Sequence, residues 1–184
     1  MGLIDSIISF DEAVWQAIIG LTAYPSTFLH WAFWTISASV IIALAAALLY
    51  YFRKKKSLVC LRLVLGSAVT FIAASLVKLL VPRFRPDFSL GAFPSRHVAL
   101  AAFLAFLLPV KRRTKALLFV WIGIVALSRL WLGRHWLSDV IFGGLIGVLT
   151  AIAVKKYKPK MRTKGSQSEN QRFSKFKKRK KKIF

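Results

Sequence analysis

The sequence predicts an all-α, polytopic transmembrane helical bundle with about five spans and an N-terminal interfacial helix. Hydrophobic residues make up 57% of the 184 residues, whereas soluble globular domains average roughly 45–50%. The formal net charge is nevertheless +23, from 29 Lys and Arg against 6 Asp and Glu, and 14 of these cations lie in residues 155–184. This composition excludes a soluble globular domain, and it is too apolar for a basic disordered protein.

Five apolar runs approach the roughly 17–25 residues that a helix needs to cross a bilayer core of about 30 Å. They cover residues 28–52, 57–80, 95–110, 116–132 and 137–154. An earlier segment, residues 2–21, has the length of a helix but carries Asp11 and Glu12 near its middle. A charge at the bilayer centre costs about 2.5–3.5 kcal/mol even on the lenient insertion scale. This favours a helix lying in the membrane interface over a sixth span.

The distribution of Lys and Arg predicts the orientation of the bundle. With five alternating spans, the basic clusters at 53–56 and 111–115 and the basic C-terminus fall on one side, which the positive-inside rule assigns to the cytoplasm. The N-terminal segment, the loop 81–94 and the turn 133–136 then share the external face.

The chain divides into a membrane-embedded domain, residues 1–154, and a basic cytoplasmic tail, residues 155–184. The tail is polar and of low complexity, which predicts disorder. Because it directly follows a span, a stop-transfer signal that contacts anionic lipid is favoured over nucleic-acid binding. Membrane lipids are therefore the expected partners of the tail.

Ionisable side chains gather at the external ends of the predicted spans, where cations are normally scarce. They are Lys78, Arg83, Arg85, Arg96, His97, Arg129, Arg134, His135 and Asp139. One such residue can be a snorkelling cation, but a set of nine at one depth indicates a functional site. The planar guanidinium of Arg can donate two parallel hydrogen bonds to the oxygens of a phosphate. Together with Ser95 at a predicted helix start, where free N–H groups bind anions, these side chains predict a pocket for a multiply charged oxyanion.

Two residues of this set form a pair with its own chemistry. His135 and Asp139 are spaced i, i+4 and therefore lie on one helical face. An Asp bonded to one ring nitrogen fixes the tautomer and leaves the other nitrogen free to attack, and His97 supplies a second imidazole as a general acid. The alternative, a metal site, is disfavoured because few carboxylates and only three histidines are present among many cations.

Three sequence motifs occur in order along the chain. They are Lys78-(six residues)-Arg85-Pro86, then Pro94-Ser95-Arg96-His97, then Ser128-Arg129-(five residues)-His135-(three residues)-Asp139. These residues resemble the motifs of the type 2 phosphatidic acid phosphatases, a family related to the vanadium haloperoxidases. The resemblance spans about a third of the chain and departs from the family pattern at Arg96, where the family usually has Gly.

The resemblance implies a role for each motif residue. His135 is the expected nucleophile, forming a phosphohistidine, with Asp139 as its orienting partner. His97 is expected to protonate the leaving oxygen and then to activate water. The expected ligands of the phosphoryl oxygens are Lys78, Arg85, Ser95 and Arg129. The family is a helical bundle that works without a metal, so no cofactor is expected.

Arg96 leaves two hypotheses open. Its guanidinium can contact a second phosphate, which would favour a diphosphate lipid, or it can point away as a neutral variant of the motif. Gly at this position allows close backbone approach to phosphate, whereas Arg keeps the N–H and adds a cation.

The expected function is that of an integral-membrane lipid phosphatase acting at the external membrane face. A polyprenyl diphosphate, such as the undecaprenyl carrier lipid, is the favoured substrate because the site faces outward and carries excess cations. Phosphatidylglycerophosphate and phosphatidic acid are the alternatives. Five spans argue against a soluble-type haloperoxidase, and the presence of His97, His135 and Asp139 argues against a non-catalytic protein that binds lipid phosphates.

Overall fold

A computed structural model describes residues 2–20 and 27–157. Within these ranges the chain forms six helices: α1 (Leu3–Gly20), α2 (Thr27–Arg53), α3 (Ser57–Leu80), α4 (Arg96–Leu107), α5 (Arg112–Trp131) and α6 (Leu137–Lys156). The only β-type pairing in the described part is an isolated bridge between Phe84 and Leu90. The predicted all-α class is therefore confirmed. Most of the basic tail, residues 158–184, lies outside the described residues, so its disorder stays a prediction.

Four helices, α2, α3, α5 and α6, are long and apolar enough to cross a membrane. Their outward faces carry exposed large apolar side chains such as Ile41, Val120 and Leu149, which suit contact with lipid. The third predicted span, residues 95–110, is a shorter helix of 12 residues, about 18 Å long at 1.5 Å per residue. It ends at Leu107 because Pro109 restricts Leu108 to an extended backbone conformation.

Helix α4 occupies the centre of the bundle, packed against α2, α3, α5 and α6. Small residues on α4 and α6 make this close packing possible. A Cβ atom on Gly143 of α6 would lie 2.5 Å from the Ser95 carbonyl oxygen, and one on Gly147 would lie 2.1 Å from the Ala99 carbonyl oxygen. The two glycines therefore serve helix packing, the role for which a Gly-x-x-x-Gly spacing is typical.

The residues predicted to form the site gather at one end of the bundle. They lie at the ends of α3 and α5, at the starts of α4 and α6, and in the connecting loop 81–95. At the opposite end, Arg62 near the start of α3 donates hydrogen bonds to the carbonyls of Lys155 (3.0 Å) and Tyr157 (2.9 Å), at the end of α6. Lys115 of α5 likewise donates hydrogen bonds to the carbonyls of Ala105, in α4, and Leu108, directly after it. The basic turns and the site residues thus occupy opposite ends.

Helix α1 packs against α5 and α6 and is not one of the four candidate spans. Its position is set by a charged residue: the side chain of Asp11 is only 1% exposed. Several apolar side chains of the same helix, Ile4 and Phe10 among them, remain exposed. The helix therefore directs a carboxylate toward the bundle and apolar groups away from it.

Candidate active site

The loop between α3 and α4 folds back on itself through main-chain hydrogen bonds. The carbonyl oxygen of Arg83 accepts hydrogen bonds from the N–H groups of Gly91 and Ala92, each at 2.9 Å. Gly91 has a φ of +85°, a left-handed conformation that glycine adopts without steric cost. This turn places the Ala92 carbonyl beside the segment that joins α5 to α6.

The imidazole of His135 is held by that carbonyl. Its Nδ1 lies 2.6 Å from the Ala92 oxygen and 3.7 Å from Oδ2 of Asp139. Because a carbonyl can only accept, Nδ1 carries the hydrogen, and Nε2 of the neutral ring keeps a free lone pair. The ring is only 3% exposed. Burial lowers the pKa of His135 below its ordinary value of 6.5, against the opposing effect of Asp139.

Asp139 is fully buried and holds the start of α6. Its Oδ2 accepts a hydrogen bond from the Trp136 N–H at 2.7 Å, and its Oδ1 accepts one from Arg83 at 2.9 Å. The hydrogen bond that fixes the His135 tautomer therefore goes to Ala92, whereas Asp139 lies at ion-pair distance from Nδ1. The expectation that His135 and Asp139 share one helical face is wrong, because His135 lies two residues before α6 begins, and a main-chain carbonyl is the nearer partner of its ring.

Two of the predicted phosphate ligands lie close enough to this imidazole for their charges to act on it. Arg129 and Lys78 both act electrostatically on His135, and His135 acts on His97. The side chains of Arg85, His97 and Arg129 line one cavity of about 350 Å³. The structure thus brings together five residues that lie up to 57 positions apart in the sequence, at the ends of three helices and in the two loops that join α3 to α4 and α5 to α6.

These cations form no salt bridge among the described residues. Lys78 donates a hydrogen bond to the Gly91 carbonyl, and Arg85 to the Ser89 hydroxyl at 3.0 Å. Among the described residues, no carboxylate lies within 4.0 Å of the cationic groups of Lys78, Arg85, Arg96 or Arg129. The Nε atoms of Arg85 and Arg129 are buried and have no hydrogen-bond partner in the described chain. We call Lys78, Arg85 and Arg129 the unpaired cations.

Ser95 sits at the N-cap of α4 with no exposed surface. Its N–H donates to the Asp139 carbonyl at 3.0 Å, which links the start of α4 to the start of α6. Its buried Oγ has no hydrogen-bond partner among the described residues. A buried hydroxyl without a partner is costly, and an incoming oxyanion would satisfy it.

Arg96 is placed differently from the unpaired cations. Its guanidinium carbon lies 5.0 Å from the centre of the Phe71 ring on α3, a cation–π contact. Arg96 does not line the cavity of His97 and Arg129, although its charge acts on both Lys78 and His97.

Two further basic residues line that cavity, His30 of α2 and Arg134. Arg134 lies at the rim, where it pairs with Asp87 at 3.1 Å. Burial alone would raise the pKa of the Asp87 carboxyl, but hydrogen bonds from Ser89 and the charge of Arg134 outweigh it and lower the pKa. His30 lies near the start of α2. The sequence carries no motif that places it in this cavity.

A second group of residues contacts Asp139, and none of them belongs to the three sequence motifs. Arg83 bridges Asp139 on α6 and Asp11 on α1, at 2.9 and 2.7 Å. Asp11 also accepts two hydrogen bonds from Ser138. The available signal is a pair of adjacent acids, Asp11 and Glu12, inside an apolar helical segment, since a carboxylate is almost never buried without a partner. We call Asp11, Arg83, Ser138 and Asp139 the paired network.

The donor set suits an anion better than a cation. Within residues 2–20 and 27–157, no three His, Cys, Asp or Glu side chains cluster in a way that could hold a metal. The expectation of a metal-free reaction stays a prediction, to be tested with chelators. A neutral imidazole with a free Nε2, next to cations that lack partners, can bind a phosphoryl group and attack it.

Comparison with known proteins gives the same family for sequence and fold. The family model described as PAP2 superfamily matches residues 57–162. A curated protein, phosphatidylglycerophosphatase B of Bacillus subtilis, is 32% identical over 100 residues, which cover 45% of this chain and 49% of that protein. The match thus spans about half the length of this curated relative.

Two crystal structures share the fold. Aquifex aeolicus LpxE superposes with a TM-score of 0.69 at 23% identity, over 79% of this chain and 94% of that chain. A transmembrane PAP2-type phosphatidylglycerolphosphate phosphatase from Bacillus subtilis superposes with a TM-score of 0.62 at 26% identity, over 86% and 89%. With four helices long and apolar enough to cross a membrane, this is a multi-pass membrane protein. The chain belongs to the PAP2 superfamily.

Proposed function

We propose that the protein is a lipid phosphatase that transfers the phosphoryl group of a membrane lipid to His135 and then to water. The observation that carries this proposal is the hydrogen bond from His135 Nδ1 to the Ala92 carbonyl at 2.6 Å. It leaves Nε2 unprotonated, and the charges of Lys78 and Arg129 act on His135. A nucleophile and its electrostatic stabilisers are thus close together before any substrate binds.

In the first step, Nε2 of His135 attacks phosphorus and forms a P–N bond while the bond to the lipid oxygen breaks. His97 gives its proton to that leaving oxygen. In the second step, water attacks phosphorus, His97 takes a proton from it, and the P–N bond breaks to release phosphate. Negative charge on the transferring group is stabilised by the unpaired cations and by the hydroxyl of Ser95.

We propose a polyprenyl diphosphate as the favoured substrate. Two basic side chains beyond the motif residues support a second phosphate: Arg134 and His30, which line the same cavity as Arg85 and Arg129. Arg96 is stacked on Phe71, so its own role in binding the second phosphate stays a hypothesis, to be tested with Arg96→Gly.

A second candidate, phosphatidylglycerophosphate, has its own support. The curated relative and one of the two structural relatives are named for activity on that monophosphate lipid. A monophosphate would occupy the position next to His135 and leave Arg134 and His30 without a ligand. The two candidates therefore differ in whether the rim of the cavity contributes to turnover.

We also propose that the site opens at the external membrane face. Support comes from the bundle itself, because the basic turns lie at the end opposite to the site, and basic turns favour the cytoplasm. Single cysteines introduced into the loop 81–94 of a Cys60-free protein should react with an impermeant reagent added outside the cell. Labelling only from the cytoplasmic side would reverse the orientation.

Phosphate release from a panel of lipid mono- and diphosphates tests the function. We expect turnover by the wild type with chelator present and no turnover by His135→Ala. Lys56→Ala, at the opposite end of the bundle, is the matched control and should keep full activity. Activity in His135→Ala would remove the assigned nucleophile, and activity lost on chelation would contradict the metal-free mechanism. Preference for monophosphates would favour the second candidate.

A further inference from the structure

We propose that α1 is part of the active-site framework, and that Asp11 and Arg83 are positioning residues for Asp139 and His135. This inference rests on the proposed function, because it concerns the geometry of the same nucleophile. Neither residue belongs to the three motifs, and α1 was expected only to lie in the membrane interface.

The carboxylate of Asp11 supplies a helix cap from another helix. Its Oδ1 accepts the Ser138 N–H at 2.9 Å, and its Oδ2 accepts the Ser138 hydroxyl at 2.6 Å. Ser138 is the second residue of α6, so its N–H is one of the groups that a helix start leaves without an internal partner. Asp139 accepts the N–H of Trp136 in the same turn. Two carboxylates from different helices thus fix the turn that follows His135 directly.

Arg83 ties these two carboxylates together. One guanidinium nitrogen donates to Asp139 at 2.9 Å and to the Ser138 hydroxyl at 2.6 Å, and the other donates to Asp11 at 2.7 Å. Both carboxylates are almost fully buried, at 0% and 1% exposure. Two buried carboxylates without a cation between them would repel each other, so the guanidinium holds both of them beside the turn that follows His135.

The main chain of Arg83 reaches the same imidazole by a second route. Its carbonyl accepts the Ala92 N–H at 2.9 Å, and the Ala92 carbonyl accepts Nδ1 of His135 at 2.6 Å. Arg83 therefore holds both groups that face Nδ1: the carboxylate through its side chain and the carbonyl through its backbone. A shift of Arg83 would move both at once.

Aromatic contacts seat α1 against this network. Trp15 of α1 meets Trp136 edge to face with ring centres 6.0 Å apart, and the Arg83 guanidinium lies 5.6 Å from the centre of the Trp136 ring. The indole N–H of Trp136 donates to the Phe84 carbonyl at 2.8 Å. The helix is thus joined to the loop and to α6 at the residue next to the nucleophile.

The test compares Asp11→Asn with Glu12→Gln, because both remove one negative charge from neighbouring positions of α1, and Glu12 is exposed. We expect Asp11→Asn to lower kcat by about 10- to 100-fold, the size of effect that a small misplacement of reacting groups produces, with KM changed less than about threefold. Glu12→Gln should have the kcat and KM of the wild type. Thermal unfolding in detergent identifies the folded variants for which these rates are compared.

Arg83→Lys provides an independent arm if Asp11→Asn does not fold, because it keeps the charge but cannot donate from two separate nitrogens to two carboxylates. It should show the same loss in kcat. A folded Asp11→Asn or Arg83→Lys protein with the wild-type kcat would overturn the inference while leaving the proposed function intact. Absence of turnover in the wild type, or turnover in His135→Ala, would instead remove the proposed function itself.

Discussion

Two groups of charged residues flank His135, and they differ in how their charges are balanced. In the paired network, one guanidinium lies between two buried carboxylates, and every contact is between 2.6 and 2.9 Å. The unpaired cations have no carboxylate partner in the described chain. The first group is complete without a ligand, whereas the second is a concentration of positive charge that an anion would stabilise.

This difference indicates what each arginine does, which residue type alone does not. Arg83 and Arg85 are two positions apart in one loop, yet Arg83 bridges two carboxylates while Arg85 lines the cavity with His97. The former holds protein groups in place, and the latter is free to hold a substrate. Substitutions in the two groups test this division between positioning and substrate-binding residues.

The largest expected effect on stability comes from the paired network. Asp11→Ala leaves the Ser138 N–H without a partner and removes one of the two carboxylates of Arg83. Breaking a buried ion pair from one side costs about 3–5 kcal/mol, so the unfolding temperature in detergent should fall sharply. Glu12→Ala is the matched control, and an Asp11→Ala protein as stable as this control would show that the network contributes nothing to folding.

The largest expected effect on catalysis without loss of stability comes from the unpaired cations. Arg129→Ala should lower kcat/KM by about 10²- to 10³-fold, the usual result of removing one transition-state donor. The same change should leave the unfolding temperature unchanged or raise it, because it relieves repulsion from Arg85 and Arg134. A clear drop in unfolding temperature would mean that Arg129 holds the fold together, contrary to the division drawn here.

The protonation of His135 gives a prediction in pH. Because burial lowers its pKa in the folded protein, the unfolded chain binds more protons on this residue below pH 6.5, and acid favours unfolding. Wild type should therefore lose stability relative to His135→Asn as pH falls below 6.5, by up to about 1.4 kcal/mol per pH unit. Unfolding temperatures of both proteins between pH 5 and 7.5 measure this. If the stability of wild type relative to His135→Asn stays constant or rises as the pH falls, the imidazole is not neutral and buried as described.

The smallest expected effect concerns the exposed rim pair. Arg134 and Asp87 are paired at 3.1 Å with both side chains well exposed, and such pairs contribute less than about 1 kcal/mol. Arg134→Ala should leave stability nearly unchanged while lowering turnover of diphosphate lipids more than that of monophosphate lipids. Equal losses for the two classes would count against a role of the rim in binding a second phosphate.

The sequence was sufficient for the parts of the site that depend on local spacing. The four long helices, the position of Ser95 at a helix start and the packing role of Gly143 and Gly147 all follow from hydrophobic runs, capping residues and small residues. The length of α4 was overestimated because its apolar run continues past Leu107, whereas Pro109 stops the helix.

The paired network and His30 could not be predicted because they depend on how distant helices meet. Asp11 lies 72 residues from Arg83, and no local sequence pattern predicts that the face of α1 that carries Asp11 packs against α6. The charge of Asp11 disfavours a membrane span, and its burial in the fold equally requires a cation nearby. The tautomer of His135 could not be predicted from the sequence either, because it is set by the main-chain carbonyl of Ala92.

The central claim is that His135 accepts the phosphoryl group, and a trapping experiment tests it most directly. Protein quenched during turnover of a lipid labelled in its phosphate should carry an acid-labile, base-stable label that maps to His135. The label should persist longer in His97→Ala, which lacks the group proposed to activate water, and be absent from His135→Ala. A wild type that turns over without a trapped label, or a label that survives in His135→Ala, would contradict the account.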